Sequence, residues 1–451
     1  MKNKLIIYEL NEMPRKLLNY YVKLKPYSNL SKLKMNGYDL NTFTTDLGEL
    51  HPWSTWATFY RGVDNSKHKI YSLNQDREFE REFPPIWKLL IENNITIGIF
   101  GTLQSYPPII NENVKFYLPD TFAPNYDAYP KELKNFQRFN LKIVANNSGE
   151  VRSIRFLEIK YFLKCILINN IRIKSILKIF IQLFKETINK RYKKRRSLIQ
   201  PELTFDLYYK NLKKYKPEFT TFFTNHLAGM MHYFWLDIFP KDFKKAYRSP
   251  NLFNKKSVIK ALDIADKQIG LLMKFAEDNS YQLWVASSMG QKAIEREKNQ
   301  KIFLRDFNKL LRMLNLDSAK YNHLPSMYPD INIEGDTLKN LKLLINEFLE
   351  IKFSNKKSIF HIRYKKNPKK INFIITSTSK KEKYLFYRDQ KIKIENLGLE
   401  FGLDDQGTGY HYHKGVLLAK GTKNKAIFGK EKIIDTKKFY KKIIKVFEIR
   451  K

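Results

Sequence analysis

The sequence predicts an α/β protein: a mostly parallel central sheet flanked by helices, with a basic helical insertion and a smaller α+β lobe. Three observations carry this. Short apolar, β-prone runs that end in polar residues recur at Leu5–Leu10, in ITIGIFG, at Phe219–Phe223 and at Tyr281–Ala286. Segments with helical apolar spacing lie between them, and such alternation builds a mostly parallel sheet. Residues 141–200 then change character, becoming basic and aliphatic. The chain therefore divides into core segments at 1–140, 201–299 and 396–451, the insertion at 141–200 and a second lobe at 300–395.

In order, the first strand ends in Asn11-Glu12-Met13-Pro14, and Pro14 suits the first turn of a helix carrying Leu17, Leu18 and Tyr21. Leu30 and Leu33 continue an apolar face that Gly37 stops. The stretch ELHPWSTWATFYRG is dense in Trp and hydroxyl residues. PPIWKLLIENN reads as a short helix and leads into ITIGIFG; Tyr106-Pro107-Pro108 is loop, since tandem Pro does not fit a helix interior. FTTFFTNHLAGMMHYFW leaves its strand at Asn225 and His226 and presents His232 beside three aromatics. A helix from Ser257 to Asn279 leads to the next strand, whose polar end is Ser287-Ser288-Met289-Gly290-Gln291. Residues 300–395 mix helical and strand-like pieces. GTGYHYHKGVLLAKG places His411 and His413 before a strand at Val416–Ala419, and Ile433–Lys451 reads as a terminal basic helix. No solenoid-type repeat is present.

Hydrophobic residues make up 43% of the 451 positions and aromatics 14%, which excludes a disordered chain. The formal charge of +38 implies an anionic partner: a membrane surface, nucleic acid or a phosphorylated glycan. The single cysteine, Cys165, excludes an internal disulfide and fits a reducing, cytoplasmic compartment. The N-terminal apolar run is broken at Glu9, too early for a secretory signal, and no run reaches the length of a membrane span. Between Val151 and Arg196 fourteen Lys or Arg stand against two Glu. Ile159, Phe162, Leu163, Ile166 and Leu167 share one helical face; Ile176, Leu177, Phe180, Ile181 and Phe184 share another. Such a pair is expected to lie on an anionic membrane surface, placing the protein peripherally on the inner face of the membrane. A nucleic-acid partner fits less well, because the basic residues cluster with aliphatic rather than interleaved aromatic side chains.

Taken together, these segments resemble the alkaline phosphatase superfamily, in its type I phosphodiesterase and nucleotide pyrophosphatase branch. The order of landmarks carries the resemblance: Asn11-Glu12 where the family has a metal-binding Asp-Gly, Asn29-Leu30 to Gly37 for its PNLxxLxxxG segment, and Trp56 to Gly62 with His68-Lys69-Ile70 for the run after its hydroxyl nucleophile. Ile86 to Pro108, Thr224-Asn225 with His232 to Trp235, Ser287 to Gly290, and Gly409 to Gly421 follow in the family's order. The opening Glu9–Glu12 and the Pro52–Trp56 segment are similar to those of divergent members associated with bacterial surface-polysaccharide gene clusters.

The resemblance implies an alkaline-phosphatase-like fold and hydrolysis or transfer of a phosphoryl-type group on a glycan or lipid-linked precursor. The family holds two divalent ions with Asp and His ligands beside a Thr or Ser nucleophile. Here Asn11, Asn225 and Ser288-Met289 replace acidic or imidazole ligands, which argues against a bimetallic site. An ungapped match puts Pro52 at the nucleophile position, so Ser54 or Thr55 serves only with a shifted loop. A rebuilt site then draws on His232, His411, Glu9 and His413 as ligands of one zinc, magnesium or manganese ion, or of none. Asn11, Trp56, Asn225, Ser288 and Gln291 are expected to bind substrate. His226 acts as general base, or Glu12 does if burial raises its pKa. The alternative is a catalytically inactive member that serves as a membrane-surface binding or scaffold protein.

Overall fold

The computed structural model describes residues 2–73, 80–146, 159–160, 163–164, 166–167, 171–245, 248–295, 301–324, 326–367, 369–377, 382–402 and 407–449. The strands of the main sheet begin with β1 (Leu5–Leu10), β2 (Tyr38–Phe43), β3 (Ile97–Phe100), β4 (Val114–Leu118), β5 (Phe219–Thr224) and β6 (Gln282–Ala286). With Lys414–Lys420 and Ile433–Asp435 they form an eight-stranded sheet, in the order Ile433–Asp435, β2, Lys414–Lys420, β6, β1, β5, β3, β4. Within it only Lys414–Lys420 runs antiparallel to its neighbours, so the fold is the mixed α/β architecture with a large, mostly parallel sheet that the sequence predicts.

β1 is central and every residue of it is buried, because helices cover both faces of the sheet. Its side chains alternate between two cores. Ile6, Tyr8 and Leu10 join one cluster with Phe222 and the Leu252–Asn279 helix; Leu5 and Ile7 join the other with Trp56, Trp284 and Phe439. Register is fixed on both sides, with Leu5 opposite Phe219 and Gln282, and Glu9 opposite Phe223 and Ala286. The Leu252–Asn279 helix is capped by Asn251, whose side chain accepts from the Phe253 and Asn254 amides. Its Asp266 accepts from the Leu30 amide and from Asn29, which ties it to the Asn29–Asn36 helix.

The sequence pattern leaves one element unassigned, and another differs from expectation. The Trp- and hydroxyl-rich stretch is a buried helix, Pro52–Arg61, with Pro52 at its first turn and Gly62 closing it at φ +73°. The terminal tract begins as strand Ile433–Asp435, parallel to β2, before the Lys438–Phe447 helix. Branched Ile433 and Ile434 extend a sheet edge that needs a partner, and Asp435 accepts from the Lys437 amide at the helix start.

Residues 302–399 pack around their own apolar cluster, including Ile333, Phe348, Phe360 and Phe373, beside a four-stranded antiparallel sheet. Asn332 of this unit donates to the Leu73 carbonyl of the main body. In the insertion, six residues of the first expected amphipathic helix, Ile159 to Leu167, are described: Ile159, Leu163 and Leu167 are exposed and Ile166 packs on the core, while Phe162 and Cys165 lie outside the described residues. The second is present as Ile173–Ile188. Among the described residues no helix is long and apolar enough to cross a membrane.

Candidate functional site

Parallel strands deliver the polar residues that follow them to one edge of a sheet, where open α/β folds place their crevice. β1 delivers Asn11 and Glu12, β5 delivers Asn225 and the His226–Ile238 helix that carries His232, and β6 delivers Ser287 and Ser288. A two-stranded ribbon completes the edge, pairing Gln291 with His411 across Gly290–Ala293 and Gly409–Tyr412.

Glu12 is the centre. Its backbone is left-handed (φ +61°), which turns its side chain back into the crevice. The carboxylate is 2% exposed, lies 3.1 Å from His232 Nε2 and 3.5 Å from His411 Nε2, and accepts from Asn11 Nδ2 and Gln291 Nε2 at 2.9 and 2.5 Å. The other imidazole nitrogens differ in their surroundings. His232 Nδ1 lies 2.9 Å from Gly409 O, whereas His411 Nδ1 is buried with no hydrogen-bond partner among the described residues. A nitrogen facing a carbonyl carries the proton, so the His232 ring turns Nε2 to Glu12 either as a second N–H or as a lone pair. Burial opposes charge on Glu12, but the two imidazoles outweigh it and hold the carboxyl well below its ordinary range. His411 is raised: burial opposes, and the Glu12 carboxylate prevails.

This arrangement fits a divalent ion. Glu12, His232 and His411 each offer one ligand atom, all within 4.8 Å of one another. Ligands of one tetrahedral zinc stand roughly 3.3 Å apart, from bond lengths of about 2.0–2.1 Å, close to the two separations found here. One carboxylate and two imidazoles suit zinc or manganese better than magnesium. Among the described residues a second ion has no comparable donors. Asn11 Nδ2 donates to Asn225 Oδ1 at 2.6 Å, Thr55 and Ser288 share a hydroxyl bond at 2.7 Å, and Met289 is fully buried.

Several expected roles are corrected. Glu12 is no general base, because its neighbours lower its pKa rather than raise it. Glu9 points to the opposite face of β1 and accepts from Tyr60 and Thr102 at 2.6 and 2.7 Å, away from the imidazoles. His226 is committed on both nitrogens, to Thr224 Oγ1 and the Ala261 carbonyl, and burial lowers its pKa to about 4. His413 follows the end of the Gly409–Tyr412 strand, so alternation fails there, and its ring reaches the Thr44 carbonyl instead. Ser54 donates to Asp46 at 2.9 Å, and Thr55 is fully buried against Ser288. Trp56, also fully buried, donates to Asn11 Oδ1 at 2.9 Å and so orients Asn11 from the interior. Gln291 and Asn11 hold Glu12, while Asn225 and His232 reach toward solvent at the mouth.

The sequence reading missed His51. Its ring stacks on Trp53 at 4.4 Å and meets His411 edge-on at 5.7 Å. Tyr410 closes the same rim, and its hydroxyl donates to Glu49. The available signal was a histidine immediately before the Pro that starts a Trp-rich helix.

Backbone closeness at Gly409 holds the site together. A Cβ there would lie 2.5 Å from the Met231 carbonyl oxygen. Gly409→Ala is therefore expected to cost about 2 kcal/mol or more, read as a lowered thermal midpoint.

No protein-family model matches the chain, and neither does any curated protein. Among solved structures it is similar to murine ectonucleotide pyrophosphatase/phosphodiesterase 5, inactive and in complex with AMP, at 12% identity over 100% of this chain and 96% of that one, with a TM-score of 0.42. The same murine protein is also matched at 11% identity, with 99% and 95% covered and a TM-score of 0.41. Its human counterpart is matched at 12% identity, with the same coverage and a TM-score of 0.39.

Proposed function

We propose that this chain is a divergent alkaline-phosphatase-superfamily hydrolase or transferase that uses one divalent ion on a phosphodiester or phosphomonoester. The observation that carries the reading is the convergence of Glu12, His232 and His411 at the C-terminal edge of the parallel strands. These three side chains would hold the ion. When bound, it would polarise a phosphoryl oxygen and offset charge building up on it.

The chain's own groups supply positioning. Asn11 and Gln291 fix the Glu12 carboxylate, and the Gly409 carbonyl fixes the His232 ring. His232, the most open of the three, and exposed Asn225 leave the approach on their side. With Ser54 and Thr55 committed to Asp46 and Ser288, the attacking oxygen comes from water or an acceptor hydroxyl. For substrate we take a phosphorylated glycan or lipid-linked precursor; support comes from the Glu9–Glu12 and Pro52–Trp56 resemblance and from the basic insertion.

A second reading, an inactive member that binds a phosphorylated ligand, is favoured by the Asn11–Asn225 and Thr55–Ser288 bonds that close the positions of a second ion. Metal analysis and turnover separate the two. Purified protein is expected to hold about one equivalent of zinc or manganese and to cleave bis-para-nitrophenyl phosphate in a chelator-sensitive way. Metal without turnover on any phosphoester supports the binding protein. Absence of both sinks the enzyme.

A further inference from the structure

Helices on a protein surface normally turn their apolar side inward. The Ile173–Ile188 helix packs Ile179, with Ile176 and Leu183, against the core, yet it also leaves an apolar side outward. Ser175, Gln182 and Glu186 are buried, Glu186 in an ion pair with Arg196, and Ser175 donates to Asp206. Ile173, Leu177, Phe180, Ile181, Phe184 and Ile188 are all more than half exposed, from 52% to 76%, and run along one stripe. A contiguous apolar stripe of this length marks a surface that is covered in use.

What covers it is indicated by charge. Lys174, Lys185, Lys190, Arg191 and Lys193 are exposed on this helix and the turn that follows it. The nearby acids are engaged inward: Glu202 with Lys178, and Asp206 with Arg172 and Ser175. At the start of the stripe, beside Ile173, a cavity of about 160 Å³ is lined by Arg172, Lys210, Lys213, Tyr209 and Asp206. Three cations against one carboxylate leave that cavity positive. Two copies of the chain meeting on this face would bring like charges together, whereas an anionic bilayer supplies both an apolar layer and phosphates at the matching depth.

We propose that this face is a lipid-docking surface: the Ile173–Ile188 stripe enters the boundary between headgroups and acyl chains of an anionic membrane. The cavity at Arg172, Lys210 and Lys213 receives a lipid phosphate. This surface is separate from the Glu12 site and does not depend on its chemistry.

The test uses the full chain and vesicles of phosphatidylcholine alone or in a two-to-one mixture with phosphatidylglycerol. The protein is expected to sediment with the mixed vesicles and to be released by salt. Phe180→Glu with Phe184→Glu should weaken binding by about tenfold or more, since each Phe otherwise buries apolar area in the bilayer. Both side chains are exposed, so circular dichroism and metal content should be unchanged. Lys174→Glu with Lys185→Glu should reduce the preference for the anionic vesicles. Failure to sediment at low salt overturns the proposal. So does equal sedimentation of the Phe variant, which would assign binding to the net charge elsewhere. A concentration-dependent dimer abolished by the Phe pair would also overturn it, in favour of a second copy.

Discussion

Glu12→Gln is expected to abolish metal retention and to lower turnover on a phosphodiester by at least about 100-fold, because a ligand is lost where even its outer partners are worth about 10–100-fold. The reasoning is electrostatic. Glu12 is the only carboxylate in the cluster, and the remaining two imidazoles carry no charge that would hold a hard cation. Gln keeps the volume and one oxygen, so the fold should survive. Metal content by mass spectrometry and steady-state kinetics on the same preparation read the outcome. Full metal occupancy in Glu12→Gln would show that the ion, if any, sits elsewhere. His232→Ala and His411→Ala should each weaken retention too. Their effects should not add to that of Glu12→Gln, since the three groups act as one unit.

The strands that build this site could be read from sequence because they are buried on both faces. LIIYEL, FTTFFT and QLWVA are continuous β-prone runs, and their polar ends mark the crevice. His232 and His411 were named from the resemblance in motif order, since His411 sits on the Gly409–Tyr412 ribbon and not at the end of a parallel strand. Edges were harder. β2 reads YDLNTF with only two fully buried positions, and Ile433–Asp435 is three residues long; both exist because a neighbour supplies hydrogen bonds. Roles within the crevice were harder still, since they depend on direction. Period-two alternation puts Glu9 on the Leu5 and Ile7 face, toward Tyr60, and the end of the ribbon at Tyr412 turns His413 aside. The amphipathic pattern of Ile173–Ile188 was visible, but which side faces the core was not: Ile179 joins the core while Asp206 and Arg196 hold Ser175 and Glu186 inward beside it.

Glu9 gives the second large effect. It lies mid-strand in β1, fully buried between Phe223 and Ala286. Burial pushes its pKa up to about 8, although bonds from Tyr60 and Thr102 pull the other way. The unfolded chain has the ordinary value of 4.5, so the native state binds this proton more tightly. The stability it contributes is complete below pH 4.5, falls as pH rises, and is lost once pH passes about 8. Glu9→Gln keeps the shape and hydrogen-bonding capacity and removes the titration. Across that window the variant should gain on the parent by an amount on the order of 4 kcal/mol, from a shift of several units at about 1.4 kcal/mol each. Denaturant unfolding at a series of pH values measures it. Parallel stability curves for parent and variant would mean that Glu9 is ionised in the folded protein. A neutral Glu9 also keeps an uncompensated charge out of the buried strand that leads to Glu12.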